Sequence, residues 1–492
     1  MSAHLAILQV VLPLVSAPLI ILVRHATLAW LMAVAASAAA AAIAVALYAR
    51  TRGGEVISYA IGSWPPPWGI EYRIDAANAF VLLLVSLMAL AVAIYSRRSI
   101  AAELAPEQHY LFYAIFALCV AGLLGITATG DAFNLFVFLE ISSLATYVLI
   151  ALGRDRRSLV AAYQYLIMGT IGATFFVMGV GLLYLVTGTL NLADMASRLP
   201  EVSEHRSVLA ALAFITVGVS LKLALFPLHL WLPNAYAYAP SAVSAFLAAT
   251  ATKVSLYVLL RFYYSVFGAS LVFEALPMER ILLALSLAAM FAASFVAIFQ
   301  SDLRRLFAYS SVAQIGYITL GVAIGTESGL TASLVHLFNH AVTKGAIFLL
   351  LGAIALRAGS VRFSDIAGIG RVMPFTTFGI VIGGLSLIGV PLTAGFVSKW
   401  YLVLAALEQG AWWIAAAVVL SSLLAIVYVW RFVEAAYFAE PSARLAQVRE
   451  APATMLAVGW TLVVACVWLG LDTTLTVGGA SEAAAALMRG WQ

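Results

Sequence analysis

Long apolar segments separated by short polar loops run through almost the whole chain. Many of them are near the length that crosses the hydrocarbon core of a bilayer as a helix, about 20 residues. About fourteen such segments can be counted by this criterion. Their predicted bounds are 4–23, 28–48, 78–96, 109–129, 131–151, 160–187, 207–226, 240–263, 280–299, 306–325, 328–356, 373–403, 411–433 and 453–471. The pattern therefore predicts an all-α polytopic membrane protein rather than a barrel.

Two of the segments are interrupted by helix-breaking residues close to a lysine. Lys222 precedes Pro227, and Lys399 follows Pro391. A proline inside a membrane helix frees a backbone carbonyl, which needs water or another helix as its partner. Similar breaks in the two halves of a chain indicate an internal repeat with functional groups near the middle of the membrane. His229, just after Pro227, either lines the same path or caps the freed carbonyls.

Composition excludes a soluble protein and a soluble catalytic domain. The chain of 492 residues is 64% hydrophobic and 10% charged, and its net charge of +4 reflects arginine-rich loops rather than a nucleic-acid partner. With the N-terminus placed outside, most arginines lie in inside loops, which predicts that both termini are outside. No phosphate-binding loop, dinucleotide fingerprint, CxxC pair or catalytic triad is present, so we expect no cofactor and no redox centre in this chain.

Lysine is used only inside the predicted spans. The four lysines are Lys222, Lys253, Lys344 and Lys399, and Glu140 is the one acidic residue well within a span. A charged side chain in the middle of the bilayer costs roughly 2.5–3.5 kcal/mol on insertion scales, so each is a functional candidate. Arginine stays charged, whereas a buried lysine can lose its proton. This choice of residue type favours a proton relay.

Glu140, Lys222 and Lys253 form the first candidate set. Burial favours the neutral form of each group, whereas a nearby opposite charge favours the charged form. A Glu–Lys contact that opens and closes therefore acts as a switch of proton affinity. The structural alternative is a static ion pair that holds two helices together. One carboxylate cannot neutralise four amines, so we expect at least one lysine to rest neutral.

His336, His340 and Lys344 recur every four residues in HLFNHAVTKGAIFLLLGAI and share one helix face. Histidine exchanges protons near neutral pH, so three titratable groups in a row are typical of a proton wire. Hydrogen bonding to neighbouring helices is the alternative for either histidine alone. A metal site is disfavoured because no third ligand lies near the two histidines. Lys399 completes the predicted set of site residues.

The chain resembles the proton-conducting antiporter-type membrane subunits. This family joins Mrp-type multisubunit sodium/proton antiporters with the pumping subunits of respiratory complex I and of membrane-bound hydrogenases. The resemblance covers roughly residues 70–435 and is carried by KLALFPLHLWLPNAYAYAPSAVSAFLAATATK, SDLRRLFAYSSVAQIGY, HLFNHAVTKGAIFLLLGAI and GVPLTAGFVSKWYL. It implies two inverted five-helix repeats and discontinuous seventh and twelfth helices. It also implies a pair between Glu140 of the fifth helix and Lys222 of the seventh. The other path residues that it implies are Lys253, His336, His340, Lys344 and Lys399.

The resemblance also implies a domain organisation. We expect three N-terminal helices with an extramembrane loop (49–77) in residues 1–108, a first repeat over 109–263 and a second over 280–433. A last helix and tail occupy 434–492. Size and motifs are most similar to the D-type subunit of the Mrp antiporters, and Lys399 argues against complex I subunits that have glutamate in the twelfth helix.

Function and partners follow as expectations. The first is a proton-translocating subunit of a sodium/proton antiporter in a bacterial or archaeal inner membrane, assembled with other membrane subunits. The alternative is a pumping subunit of a complex I-like NADH-quinone oxidoreductase or a hydrogenase, so membership of an enzyme stays open. A third, a non-conducting scaffold, is disfavoured by the buried lysines. Sodium prefers several oxygen ligands, so we expect any Na⁺ site mainly on a partner.

Overall fold

The computed structural model describes residues 4–441, 445 and 447–490. Parts of the predicted first and last domains, residues 1–3, 442–444, 446 and 491–492, lie outside that description. Helices dominate the described residues. In chain order they are α1 (Leu5–Val23), α2 (Ala26–Thr51), α3 (Ala76–Glu103), α4 (His109–Ala128), α5 (Ala132–Ala151), α6 (Arg157–Thr187), α7 (Leu192–Val202), α8 (Arg206–Leu223), α9 (Trp231–Tyr238), α10 (Ser241–Ala249), α11 (Ala251–Leu260), α12 (Met278–Ile298), α13 (Leu303–Ala323), α14 (Glu327–Ala358), α15 (Pro374–Ile388), α16 (Ala394–Glu408), α17 (Trp412–Val433), α18 (Ala453–Leu471) and α19 (Gly479–Arg489).

The prediction of a polytopic helical membrane protein is confirmed. Within the described residues, 13 helical segments are long and apolar enough to cross a membrane. The remaining predicted span, 373–403, is divided into α15 and α16. The hydropathy pattern did not predict α7 and α19, whose short amphipathic sequences lack an apolar run of spanning length. The division into two inverted repeats stays a prediction.

The loop predicted to lie outside the membrane forms a β-hairpin. Strand β1 (Ile57–Ala60) pairs antiparallel with β2 (Glu71–Ile74), with Ile57 opposite Ile74. The buried Glu71 side chain accepts hydrogen bonds from Ser58 Oγ at 2.5 Å and from Asn191 Nδ2 at 2.9 Å. The carboxylate thereby ties the hairpin to Asn191, the N-cap residue of α7.

The seventh predicted span is broken between α8 and α9. α8 ends at Leu223, and Ala224 has the left-handed backbone conformation with φ 59°. Trp231 Nε1 donates to the Leu221 carbonyl at 2.9 Å, so an indole satisfies a carbonyl near the end of α8. His229 lies beside this break, and both roles considered for it stay predictions. Its ring stacks on Phe226, and the structure provides no hydrogen-bond partner for its Nδ1 among the described residues.

The twelfth predicted span is broken between α15 and α16. Gly389 follows α15 with φ 90°, a conformation that L-residues adopt at a cost. Gly395 is required for space, because a Cβ there would lie 1.7 Å from the Ser386 carbonyl oxygen. Its backbone N–H donates to Ser386 Oγ at 3.1 Å. The half-helices therefore approach each other more closely than any larger residue would allow.

The eighth predicted span contains a kink that the sequence did not predict. Thr250 has φ −125° and ψ −58°, which separates α10 from α11. The span continues from α11 through a wider π-helical turn, Arg261–Val266. Lys253 lies in the first turn of α11, directly after the kink.

α14 is the central helix of the bundle. It has 32 residues, and every residue from Gly329 to Ile354 is buried. It packs against α3, α10, α13, α15, α16 and α18. Polar side chains on this helix therefore face protein on all sides rather than lipid.

A buried ion pair joins the start of α3 to the end of the eighth span. Arg261 donates to both Asp75 carboxylate oxygens, at 2.9 Å from Nη1 and 2.8 Å from Nη2, and the two side chains are 1% and 6% exposed. Asp75 also caps α3 by accepting from the backbone N–H of Ala77 and Asn78. The counting of loop arginines gave no sign that Arg261 is buried.

Candidate functional site

The predicted pair of Glu140 and Lys222 is present. Lys222 Nζ lies 3.7 Å from Glu140 Oε1 and donates to Ser143 Oγ at 2.6 Å. Glu140 and Ser143 are three residues apart on α5, and therefore reach the same region of α8. The Lys222 amine is therefore hydrogen-bonded to the Ser143 hydroxyl. The Glu140 carboxylate lies further away but is close enough to attract the amine electrostatically.

The two members of this pair differ in exposure. The Lys222 side chain is 4% exposed, whereas that of Glu140 is 26% exposed. Lys222 also borders a small cavity whose other walls include Ser255 and Val258 of α11. The lysine is thus enclosed by α5, α6, α8 and α11, and the carboxylate lies at the edge of the same group.

Lys253 is held by the kink in the eighth span. Its Nζ donates to the Ala248 carbonyl at 2.5 Å, and Thr252 Oγ1 lies 3.4 Å away. Within the described residues no carboxylate approaches this amine within ion-pair distance. Lys253 therefore joins Lys222 in burial but not in a direct contact, and the first predicted set is only partly brought together.

His336 and His340 lie side by side on α14, as predicted. Their ring centroids are 6.0 Å apart and the rings are nearly parallel. His336 is fully engaged, with Ser398 Oγ 2.7 Å from Nδ1 and Gln314 Oε1 2.9 Å from Nε2. His340 differs, because neither ring nitrogen has a hydrogen-bond partner among the described residues. The pair thus combines one anchored imidazole with one unanchored imidazole.

Lys344 lies one turn further along the same face. Its Nζ donates to the Phe307 carbonyl at 2.7 Å and to Ser310 Oγ, both on α13. The lysine is fully buried. The Ala248 carbonyl that binds Lys253 belongs to α10, and α10 packs against α14. The tertiary structure therefore brings the kink of the eighth span to the predicted proton wire.

Lys399 belongs to α16, and its amine binds to the end of α15, on the other side of the break in the twelfth span. Its Nζ donates to the carbonyls of Leu387 and Ile388, at 2.8 and 3.0 Å, and to Ser422 Oγ at 2.9 Å. The amine also lies 4.5 Å from the centre of the Tyr317 ring. The Tyr317 ring is in turn 5.6 Å from that of His336. A continuous row of polar groups thus leads from Lys399 to α14.

The neutral side chains that hold these ionisable groups were not predicted from the sequence. Their hydroxyl, phenol and amide side chains lie on helices beside the site. They are Ser143, Thr252, Ser310, Gln314, Tyr317, Ser398 and Ser422. Only Gln314 gave a usable signal, since a carboxamide inside an apolar helix needs a hydrogen-bonding partner. Serine and threonine can bond to their own helix, so their sequence positions carry little information.

The arrangement suits proton exchange better than ligand binding. Among the described residues, no group of three or more His, Cys, Asp or Glu side chains is placed to hold a metal ion. The site instead consists of amines and imidazoles with hydroxyl and carbonyl neighbours. Such groups exchange protons with one another when water bridges the gaps between them.

Comparison with known proteins identifies the family of the chain. The family model described as "NADH:quinone oxidoreductase/Mrp antiporter, TM" matches residues 129–425, which include all seven predicted site residues. A curated relative named NADH-quinone oxidoreductase subunit N, from Desulforudis audaxviator, is 45% identical and the match covers 96% of each chain. A relative named as the D-type subunit of a Na⁺/H⁺ antiporter, from Alkalihalophilus pseudofirmus, is 29% identical over 89% of this chain and 87% of the relative.

Solved structures give the same answer. A chain in the structure of the Mrp complex from Dietzia sp. DQ12-45-1b superposes with a TM-score of 0.90 at 27% identity, covering 99% of this chain and 97% of the other. The family resemblance that the sequence indicated is therefore confirmed. The two kinds of name among the relatives correspond to the two functions weighed from the sequence. The chain belongs to the NADH:quinone oxidoreductase/Mrp antiporter family of membrane subunits.

Proposed function

We propose that this chain is the proton-translocating membrane subunit of a multisubunit Na⁺/H⁺ antiporter. The observation that carries the proposal is the environment of three buried lysines. Within the described part of the chain, Lys253, Lys344 and Lys399 donate only to neutral oxygens of carbonyls and hydroxyls. A buried ammonium ion without a carboxylate partner is costly. Each of these amines therefore gains by releasing its proton, and each can accept one again when a proton arrives.

The Glu140–Lys222 pair supplies the adjustable element of this mechanism. When the two groups approach, the carboxylate favours the charged lysine. When they separate, Lys222 is left with Ser143 as its hydrogen-bond acceptor and gives up its proton more readily. At 3.7 Å the contact is intermediate between a direct charge-assisted hydrogen bond and a broken pair. Small movements of α5 against α8 change the proton affinity of Lys222.

The central histidines extend the path along α14. Neither ring nitrogen of His340 is bound by another described residue, so the ring can accept a proton at one nitrogen and donate from the other. His336 is held between Gln314 and Ser398, and Ser398 is adjacent to Lys399 in α16. We assign the roles of proton carriers to Glu140, Lys222, Lys253, His336, His340, Lys344 and Lys399. Water is expected to bridge the separations between them.

The proposed antiporter also requires partner subunits. The chain works in the inner membrane of a bacterial or archaeal cell with other membrane subunits. Sodium is coordinated mainly by a partner, because Glu140 is the one carboxylate among the proposed carriers and Na⁺ favours several oxygen ligands. Proton flow through this chain then drives sodium movement elsewhere in the assembly.

A second candidate is a pumping subunit of a complex I-like oxidoreductase. The observation that favours it is the higher identity to the relative named as an NADH-quinone oxidoreductase subunit. Both candidates use the same proton path, and they differ in what supplies the energy. The test therefore measures coupling rather than conduction.

The experiment expresses the chain with its neighbouring subunits and prepares inside-out vesicles with a fluorescent ΔpH probe. An antiporter dissipates a preformed proton gradient when Na⁺ is added, and Lys344→Met abolishes that response. Respiration-driven NADH oxidation is unchanged by the same variant. Loss of NADH–quinone activity together with proton pumping, and no response to Na⁺, would support the second candidate. Proton movement unaffected by Lys344→Met would contradict both.

A further inference from the structure

An arginine-rich cavity lies at the face that arginine counting predicts to be cytoplasmic. It measures about 890 Å³, within the size range of ligand pockets. Its walls come from the end of α3, the α5–α6 loop, the connection between α9 and α10, the start of α13 and the loop that follows α14. Five guanidinium groups line it. They are Arg154, Arg157, Arg304, Arg305 and Arg362. We call it the arginine-lined cavity.

Two acidic residues of the cavity accept hydrogen bonds from groups other than the lining arginine side chains. Glu103 accepts from Ser99 Oγ at 2.6 Å and from the Ser241 backbone N–H at 2.8 Å. Asp302 caps α13, because its side chain accepts hydrogen bonds from the backbone N–H groups of Arg304 and Arg305. These carboxylates serve backbone and hydroxyl donors, and neither lies within ion-pair distance of a lining arginine in the described part of the chain.

Charge compensation among the lining arginines is therefore incomplete. Asp155, the third acid of the cavity, lies 3.8 Å from Arg157, and this is the one ion pair of a lining arginine among the described residues. The cavity has five positive and three negative side chains. Guanidinium groups collected without carboxylate partners repel one another and attract anions.

The inner arginines are held in fixed positions. Arg304 Nη2 donates to Ser241 Oγ at 2.6 Å, and Arg305 Nη1 donates to Asn234 Oδ1 at 2.8 Å. Arg362, in contrast, is exposed, and the described residues offer its guanidinium no hydrogen-bond partner. The site thus has ordered donors at its base and a free guanidinium at its mouth, which is an arrangement suited to an oxyanion.

We propose that the arginine-lined cavity binds the phosphate group of an anionic ligand. Arginine forks match phosphate geometry and form paired charge-assisted hydrogen bonds with it. The phosphate belongs either to the headgroup of an anionic lipid at the membrane surface or to a soluble phosphate ion. Basic pockets between membrane helices are known to accept lipid headgroups, and the volume admits either source.

Occupancy would stabilise the helix ends around the cavity. Ser241 begins α10, and Leu356 on the wall belongs to α14. An anion at this position bridges the start of the eighth span, which carries Lys253 in α11, and the end of α14, which carries Lys344 about 18 Å away from Leu356. The proposal does not depend on the proton path, because binding is measured without transport.

The test is the thermal stability of the full chain in a neutral detergent. A short-chain phosphatidylglycerol, a matched phosphatidylcholine, inorganic phosphate and chloride of equal ionic strength are each titrated. We expect the melting temperature to rise with phosphatidylglycerol or with phosphate, and not with phosphatidylcholine or chloride. A rise with the lipid alone assigns the site to a headgroup, and a rise with phosphate as well assigns it to the phosphate group itself.

Variants locate the effect. Two cavity variants are used: the single variant Arg362→Gln and the double variant with Arg157→Gln and Arg362→Gln. Both remove guanidinium groups from exposed positions of the cavity, so they retain the fold. Each is expected to lose most of the ligand-induced rise. Arg98→Gln, an exposed arginine near the end of α3 outside the cavity lining, keeps it. Absence of any anion-specific rise, or a rise that persists in both cavity variants, overturns the proposal.

Discussion

Lys399 Nζ lies 2.8 Å from the carbonyl oxygen of Leu387, across the break that separates α15 from α16. A side chain that follows the break therefore caps the helix that precedes it. The end of a half-helix is the negative end of its dipole, which favours a positive amine. Lys222 is used differently, because it contacts α5 while Trp231 satisfies the carbonyl at the end of α8. The two breaks look alike in sequence but are satisfied by different donors.

Replacing Gly389 by alanine should disturb Lys399. The left-handed backbone conformation costs an L-residue about 1–2 kcal/mol, and the added Cβ would lie 2.9 Å from Lys399 Cδ. We expect a lower melting temperature in detergent and reduced proton transport in vesicles. Gly268→Ala is the matched control, since Gly268 has φ 82° with no atom within 4 Å of the added Cβ. Equal effects of the two substitutions on transport would show that crowding of Lys399 is irrelevant.

Lys222→Arg should fold and fail to transport protons. The guanidinium keeps its charge, so it satisfies Glu140 but cannot release a proton at accessible pH. The measurement is the ΔpH response of inside-out vesicles, with melting temperature as the check on folding. Ser143→Ala serves as the control, because it removes the 2.6 Å hydrogen bond and keeps the titratable amine. Unimpaired transport by Lys222→Arg would remove Lys222 from the path.

His340→Leu and His336→Leu should separate transport from stability. His340 has no hydrogen-bond partner among the described residues, so its replacement by an apolar side chain should leave the melting temperature unchanged or slightly raised. His336→Leu removes the hydrogen-bond partner of the buried Gln314 side chain, at about 1–3 kcal/mol, whereas Ser398 keeps its bond to the Gly395 carbonyl. Both variants should lose proton transport. A large loss of stability in His340→Leu would mean that the ring is anchored after all, and normal transport would exclude it as a carrier.

Arg261→Met should destabilise the protein far more than a surface charge does. Removing one partner of a buried ion pair costs about 3–5 kcal/mol, because the buried Asp75 carboxylate loses the guanidinium that faces it. The exposed pair of Arg52 and Glu482, at 3.5 Å, provides the comparison, and Arg52→Met should cost less than about 1 kcal/mol. Thermal unfolding in one detergent gives both values. Similar melting temperatures for the two variants would contradict a structural role for the Arg261–Asp75 pair.

Membrane topology was predictable from sequence because the bilayer imposes a simple rule. Each span must be apolar and about 20 residues long, so hydropathy alone located the thirteen helical segments of spanning length, including the part of the seventh span before its break, and the divided twelfth span. The rule fails for α7 and α19, which do not span. It also fails for the kink at Thr250, since no proline or glycine marks it and packing with neighbouring helices sets the backbone there.

The sequence by itself determined which side chains are ionisable inside the membrane. Four lysines, one glutamate and two histidines are costly in an apolar span, so their presence there is informative without coordinates. Only the tertiary structure decided which of them meet. Glu140 reaches Lys222, and the packing of α10 against α14 places the kink that holds Lys253 beside α14, while no direct contact joins Lys222 and Lys253 among the described residues. The reason is physical: helix periodicity fixes neighbours along one helix, but contacts between helices depend on how breaks, kinks and small residues let separate helices pack.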